Sequence, residues 1–161
     1  VLTAIMVTGR AGSAMTAEIG VMRISEQIDA LEIMGINPMV YLVSPKMAAC
    51  LISFPILTAL FDLIAIFGGW LTGVSLLGAN EGVYLYRVEQ SLNLDDIIGG
   101  FIKALAFAVV VCTVSCYQGY FTHLRKDGVG PEGVSQATTQ AVVMSCVLIL
   151  VSDYILTSLL W

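Results

Sequence analysis

Five ionisable side chains sit where the sequence is otherwise apolar: Arg10, Glu18, Asp62, Lys103 and Asp153. A charge near the middle of a hydrocarbon layer costs about 3 kcal/mol on insertion scales, so such groups usually face the interior of a helix bundle and find partners. Two chemistries are open to them. They line a path for a substrate with a charged headgroup, or they serve as polar glue between helices, which is the commoner role. Depth suggests who meets whom. At a rise of about 1.5 Å per residue, Asp62 and Asp153 lie roughly 22 Å from the starts of their apolar runs. Lys103 lies only a few residues into its own run, which crosses in the opposite direction. All three therefore fall in the same half of the layer, and Lys103 is expected to pair with Asp153 or Asp62. Arg10 is expected nearer the middle, with Glu18 two turns on, or a residue outside this sequence, as its partner.

Other chemistries find little support. No GxxxxGK[ST] loop exists around Lys46, Lys103 or Lys126, so ATP hydrolysis by that route is excluded. His123, the one histidine, has no Ser or Cys partner in context, and no HExxH occurs. Cys50, Cys112, Cys116 and Cys146 all lie in apolar stretches without a CxxC pair, which reads as small helix- or lipid-facing residues. No catalytic residue, metal site or cofactor is expected.

The elements that must position these residues are membrane helices. Of 161 residues, 58% are hydrophobic and 12% charged, with a mean hydropathy of +0.90. Soluble domains carry about 25% charged residues, and a fold of this size has too little interior to hide so much apolar surface. The net charge of −5 and the absence of a Lys/Arg cluster exclude a nucleic-acid partner. Spans need about 20 mostly apolar residues, and four are expected: 1–20, 47–77, 100–122 and 137–161. In the first, Gly9, Ser13 and Ala17, and likewise Gly12, Thr16 and Gly20, recur every fourth residue, a spacing that lets helices approach closely in lipid. The chain opens on Val1 inside an apolar stretch and is expected to be a fragment.

Three polar connections separate the spans. The first, 21–46, holds a short amphipathic helix at about 24–35. Ile24, Ile28 and Leu31 form one stripe, and Glu26, Asp29 and Glu32 lie largely opposite. Ser25 is its expected N-cap, and Gly35 followed by Pro38 its stop. The second connection, 78–99, is acidic. The third is 117–136. Lys and Arg outside the spans number four in the first and third connections (Arg23, Lys46, Arg125, Lys126) and one in the second (Arg87). The positive-inside rule therefore puts the amphipathic helix in the cytoplasm, the 78–99 connection outside and Trp161 near the outer interface. The acidic polar face of this helix favours a protein partner over anionic lipid. The whole is expected to be one all-α, polytopic membrane domain.

The residues also carry a family resemblance. Gly9-Arg10-Ala11-Gly12-Ser13-Ala14, then Ala17-Glu18-Ile19-Gly20, then the run from Glu26-Gln27-Ile28-Asp29 to Gly35-Ile36-Asn37-Pro38 strongly resemble the signature region of MlaE/YrbE permeases. Pro45 after Tyr41-Leu42-Val43, and the stretch from Gly133 to Val143, also look like that family. The resemblance implies a homodimeric permease subunit of an ABC-type transporter in a bacterial inner membrane. It implies an ATPase partner, an outward MCE-domain protein, often a small STAS-domain subunit, and phospholipid moved between inner and outer membranes. The segment Ser25–Met34 would contact the ATPase through Glu26, Asp29 and Glu32, with Arg23 beside them. Gly9, Gly12, Ser13 and Gly20 would provide close helix packing. An earlier span and an N-terminal interfacial helix, both typical of the family, are missing from this sequence. The rival readings are an ion-coupled secondary transporter with Asp62 or Asp153 as carrier, an intramembrane lipid enzyme, and a membrane scaffold.

Overall fold

The computed structural model describes residues 1–76, 78, 80–92, 94–124 and 130–160, and all regular structure among them is helical. Arg125, Lys126 and Trp161 lie outside the described residues. Helix α1 covers 2–24. It is α-helical over Leu2–Val7 and Ser13–Ile24, with one π-helical turn at Thr8–Gly12 between them. Its threonines are accommodated in an apolar setting because Thr8 Oγ1 donates to the Ala4 carbonyl at 2.7 Å and Thr16 Oγ1 to the Gly12 carbonyl at 3.0 Å.

The break after α1 differs from the expected one. Ser25 does not cap the next helix; its hydroxyl donates back to the Val21 carbonyl at 2.8 Å and finishes α1. Glu26 then turns the chain with φ 57°, the one non-glycine residue with positive φ among those described. Helix α2 is consequently shorter than the expected 24–35, covering Gln27–Ile33. Its end follows the expected stop. Gly35 at φ +75° donates its N–H to the Glu32 carbonyl, and Ile36 N–H reaches the Leu31 carbonyl, both at 3.0 Å.

Pro38 ends nothing further. It is the first residue of α3, Pro38–Trp70, which continues through a π-helical turn at Leu71–Leu76. Asn37 caps this helix by accepting the Met39 N–H at 3.1 Å, and proline suits the first position because its missing donor would be unused there. The span therefore starts well before the expected Met47. Pro45 and Pro55 lie within it without ending it. The 78–99 connection, expected as a loop, holds helix α4 (Glu81–Ser91), capped by Asn80 accepting the Gly82 N–H at 3.0 Å. Helix α5 covers Leu94–Tyr120, a 3₁₀ turn covers Thr122–Leu124, and α6 covers Pro131–Leu160.

Three helical stretches among the described residues are long and apolar enough to cross a membrane: Pro38–Leu76, Asp96–Tyr120 and Pro131–Leu159. Four were expected. Helix α1 forms, but Arg10, Glu18 and Arg23, with its threonines and glycines, leave it less apolar than the others. It has protein around one face instead, lying against α5 and α6, while α5 also packs on α3. The buried stripe of α1 is Ala4, Thr8, Gly12, Thr16, Ile19 and Gly20. Facing it are Val111, Ser115 and Gly119 of α5, and α6, which packs on both α1 and α5, buries a column of Ala137, Ala141, Ser145 and Ile149. The closest approach is at Gly119, where a Cβ would stand 2.8 Å from the Thr16 carbonyl oxygen. Thr16 Oγ1 also donates to the Ser115 carbonyl at 3.1 Å, a bond between helices.

Candidate functional site

The first and third connections meet at one end of the bundle. Arg23 closes α1, and its side chain is only 15% exposed. Its Nη1 is 2.7 Å from Asp29 Oδ1 on α2, and its Nε donates to His123 Nδ1 at 3.1 Å. Its Nη2 lies 3.3 Å from His123 Nε2, and its guanidinium stands over the Tyr120 ring at 5.3 Å from the ring centre. The Tyr120 hydroxyl in turn donates to Glu32 Oε1 at 3.5 Å. Asp29 and Glu32, three apart on one face of α2, are thus both connected to the end of α5. Beneath them Ile28 is fully buried. Glu26 is exposed and has no ion-pair partner among the described residues, while Ile33 and Met34 present exposed apolar surface beside it. Arg23, expected beside the docking face, instead points inward.

Of the five charges expected within the spans, three form ion pairs. Lys103 Nζ is 3.4 Å from Asp153 Oδ1 and donates to Thr157 Oγ1 at 2.8 Å, so α5 and α6 are tied by one of the two pairings left open by depth. Asp62 forms no ion pair among the described residues. It borders a cavity of about 180 Å³ with Phe54, Thr58, Lys103, Ala104 and Phe107. Glu18 does not meet Arg10. Eight residues of helix hold them about 12 Å apart along the axis, and Glu18 pairs with Lys46 of α3 at 2.5 Å. Arg10 is exposed on the bare side of α1, without an ion-pair partner among the described residues.

The small residues divide as well. A Cβ at Gly12 would lie 3.2 Å from Ser115 Oγ, and one at Gly20 would lie 3.2 Å from Val134 Cγ2. Gly9 has nothing within 4 Å, and Ser13 spends its hydroxyl on the Gly9 carbonyl of its own helix. Neither packs closely within this chain, because both sit off the buried stripe. Sequence reasoning missed Gly119 and the α6 column, although Ala137, Ala141 and Ser145 repeat at the spacing that marked α1. It also missed Tyr84, whose hydroxyl donates to the Ile66 carbonyl at 3.1 Å over Gly69 and Gly73. Three cysteines are packed in the core, with Cys112 and Cys116 sulfurs 3.9 Å apart and Cys50 Sγ 3.8 Å from Met15 Sδ. No group of three His, Cys, Asp or Glu is placed to hold a metal among the described residues.

Comparison with known proteins places this arrangement. The family described as permease MlaE matches residues 1–159. The chain belongs to the MlaE permease family. It is 42% identical over its whole length to a probable ABC transporter permease protein of Rickettsia typhi. It is 41% identical to the intermembrane phospholipid transport system permease protein MlaE of Haemophilus influenzae, again over all of this chain. The chloroplastic protein TRIGALACTOSYLDIACYLGLYCEROL 1 of Arabidopsis thaliana is 35% identical over 98% of this chain and 44% of its own length. The chain spans 60% of the length of both bacterial relatives. Within the family, then, it corresponds to a multi-pass helical membrane segment, and the Arg23 cluster and Lys103–Asp153 pair are built from this segment alone.

Proposed function

We propose that this chain is part of a permease subunit that moves phospholipid between the inner and outer membranes of a bacterial envelope. A separate ATPase would drive it, a reading supported by the name of the Rickettsia relative, an ABC transporter permease protein. The reading rests on one observation: a short helix, α2, is held across one end of the bundle with Glu26, Ile33 and Met34 turned outward. The names of two bacterial relatives, an ABC transporter permease and a phospholipid transport permease, support it. α2 would face the cytoplasm, where Glu26 and the outer sides of Asp29 and Glu32 meet a groove of the ATPase. The α4 end would face the periplasm and an MCE-domain partner, with a STAS-domain subunit on the cytoplasmic side. Two copies would enclose the lipid path, and the bare side of α1 with Gly9 and Arg10 suits a face covered by another part of that assembly. The test is co-purification of a tagged full-length permease. The ATPase should be recovered with the unaltered protein and lost on Glu26→Lys, with membrane insertion intact. Undiminished recovery with Glu26→Lys would reject α2 as the docking element.

A second reading draws on Asp62, which has no ion-pair partner among the described residues and borders a cavity. An ion-coupled transporter would use it as the carrier. Phospholipid movement that survives removal of ATP but stops on collapse of the proton gradient would favour that reading over the first.

A further inference from the structure

We infer that Arg23 is a positioning residue that clamps α2 to the end of α5, so that displacement of α2 is delivered to α5 rather than absorbed in the turns beside it. The inference rests on the transporter reading above and adds the internal route. Backbone alone joins α2 to its neighbours through two sharp turns: Glu26, in a left-handed conformation, and Gly35, at φ +75°. A push on α2 would dissipate there unless side chains bridged it to the bundle. Arg23 supplies that bridge. One guanidinium holds Asp29 at 2.7 Å, holds His123 at 3.1 Å and lies on the Tyr120 ring. Tyr120 closes the loop to Glu32. The fixed fork of a guanidinium suits this junction, because its donors point in several directions at once while its flat face remains free to stack. Asp29 and Glu32 of α2 are thereby tied to the bundle, whereas Glu26, just before the helix, makes no ion pair among the described residues.

The route continues along α5. Lys103 lies seventeen residues before Tyr120, roughly 25 Å along the helix. There it is tied to α6 through Asp153 at 3.4 Å and Thr157 at 2.8 Å. A rigid helix pinned at both ends carries a displacement from the clamp to the α5–α6 contact at the far side of the bundle. Ile28, buried beneath the clamp, seats α2 independently of Arg23, so loss of the guanidinium should loosen α2 without unfolding it.

The experiment uses the full-length permease with its ATPase, reconstituted in vesicles of phosphatidylethanolamine and phosphatidylglycerol carrying a fluorescent phosphatidylethanolamine. The readout is phospholipid moved per ATP hydrolysed. Arg23→Gln is expected to lower this ratio about tenfold, the scale of losing hydrogen bonds to charged groups, with ATPase recovery unchanged. Arg23→Lys, which keeps the charge but not the fork, should restore the ratio only in part. Tyr120→Phe, which removes one hydroxyl, should lower it by about threefold and decides the matter if Arg23→Gln does not fold. An unchanged ratio in the glutamine or phenylalanine variant overturns the clamp. So does loss of ATPase recovery in Arg23→Gln, which would make Arg23 a docking contact. If the unaltered permease recovers no ATPase, the transporter reading falls and takes the clamp with it; if it transports and Arg23→Gln does so equally well per ATP, the clamp alone falls.

Discussion

Helices α1 and α3 share a bundle and are made of different material. α1 places glycine, alanine and threonine on its inner face, and its neighbours approach until a Cβ at Gly119 would touch the Thr16 carbonyl oxygen. α3 is built of Leu, Ile and Phe, and side chains such as Leu63, Ile64 and Phe67 stay exposed. A soluble protein does not tolerate so large an apolar surface; a hydrocarbon solvent does. The contrast teaches that apolarity and burial part company in this chain. Of these two, the greasier helix leaves more of its side chains bare, and the more polar one has the more intimate packing. In lipid there is no hydrophobic drive between helices, so close packing and bonds such as Thr16 to the Ser115 carbonyl hold them together.

That contrast can be broken by substitution. The largest effect is expected at Gly119. An alanine there has to displace backbone, and thermal unfolding of the detergent-solubilised protein should show a loss of about 3 kcal/mol. Gly12→Ala and Gly20→Ala meet side chains at 3.2 Å and should lose about 1 kcal/mol each. Gly68→Ala on α3 meets nothing within 4 Å, and should be neutral or gain up to about 1 kcal/mol from helix propensity. If Gly68→Ala proves as damaging as Gly12→Ala, α3 is not an open face and the comparison fails. Between α5 and α6, a Lys103→Gln/Asp153→Asn double-mutant cycle should give a coupling of roughly 0.6–1.7 kcal/mol, the range for polar contacts in membrane bundles; a coupling near zero would mean the two do not act as a pair. A small effect on stability, like that at Gly68, is expected at Glu26. Glycine is at ease at φ 57°, so Glu26→Gly should raise stability by up to about 1 kcal/mol while lowering ATPase recovery. A variant that is more stable yet recruits as well as the parent would remove Glu26 from the docking face.

Much of this was legible in the residues. The apolar runs gave the three long helices, because about 20 apolar residues have few other uses. Gly35 gave the end of α2, because a left-handed residue there satisfies two carbonyls. The depth argument named Asp153 as one of two partners for Lys103. What escaped had physical causes. Pro38 reads as a terminator and is equally a first helical residue, so the start of α3 was placed too late. Ser25 suits either end of a helix, and its hydroxyl went to the one already formed. Gly119 lies four residues after Ser115, the spacing that marked α1, but its role depends on where Thr16 arrives from another helix. Asp29 meets Arg23 only six positions away, across a turn, but Glu32 meets Tyr120 88 positions away and Arg23 meets His123 100 positions away, which no local pattern encodes.

The wide turn at Thr8–Gly12 has a consequence for the geometry of α1. In a straight α-helix, residues four apart advance by about 40° beyond a full rotation, so a ridge written as Ala4, Thr8, Gly12, Thr16 and Gly20 would wind steadily away from its neighbours. One π turn absorbs an additional residue and reverses part of that winding. Length is therefore part of the message. Deleting any single residue between Thr8 and Gly12 would swing everything before it by roughly 100°, aiming Ala4 at lipid even though every amino acid of the ridge were retained.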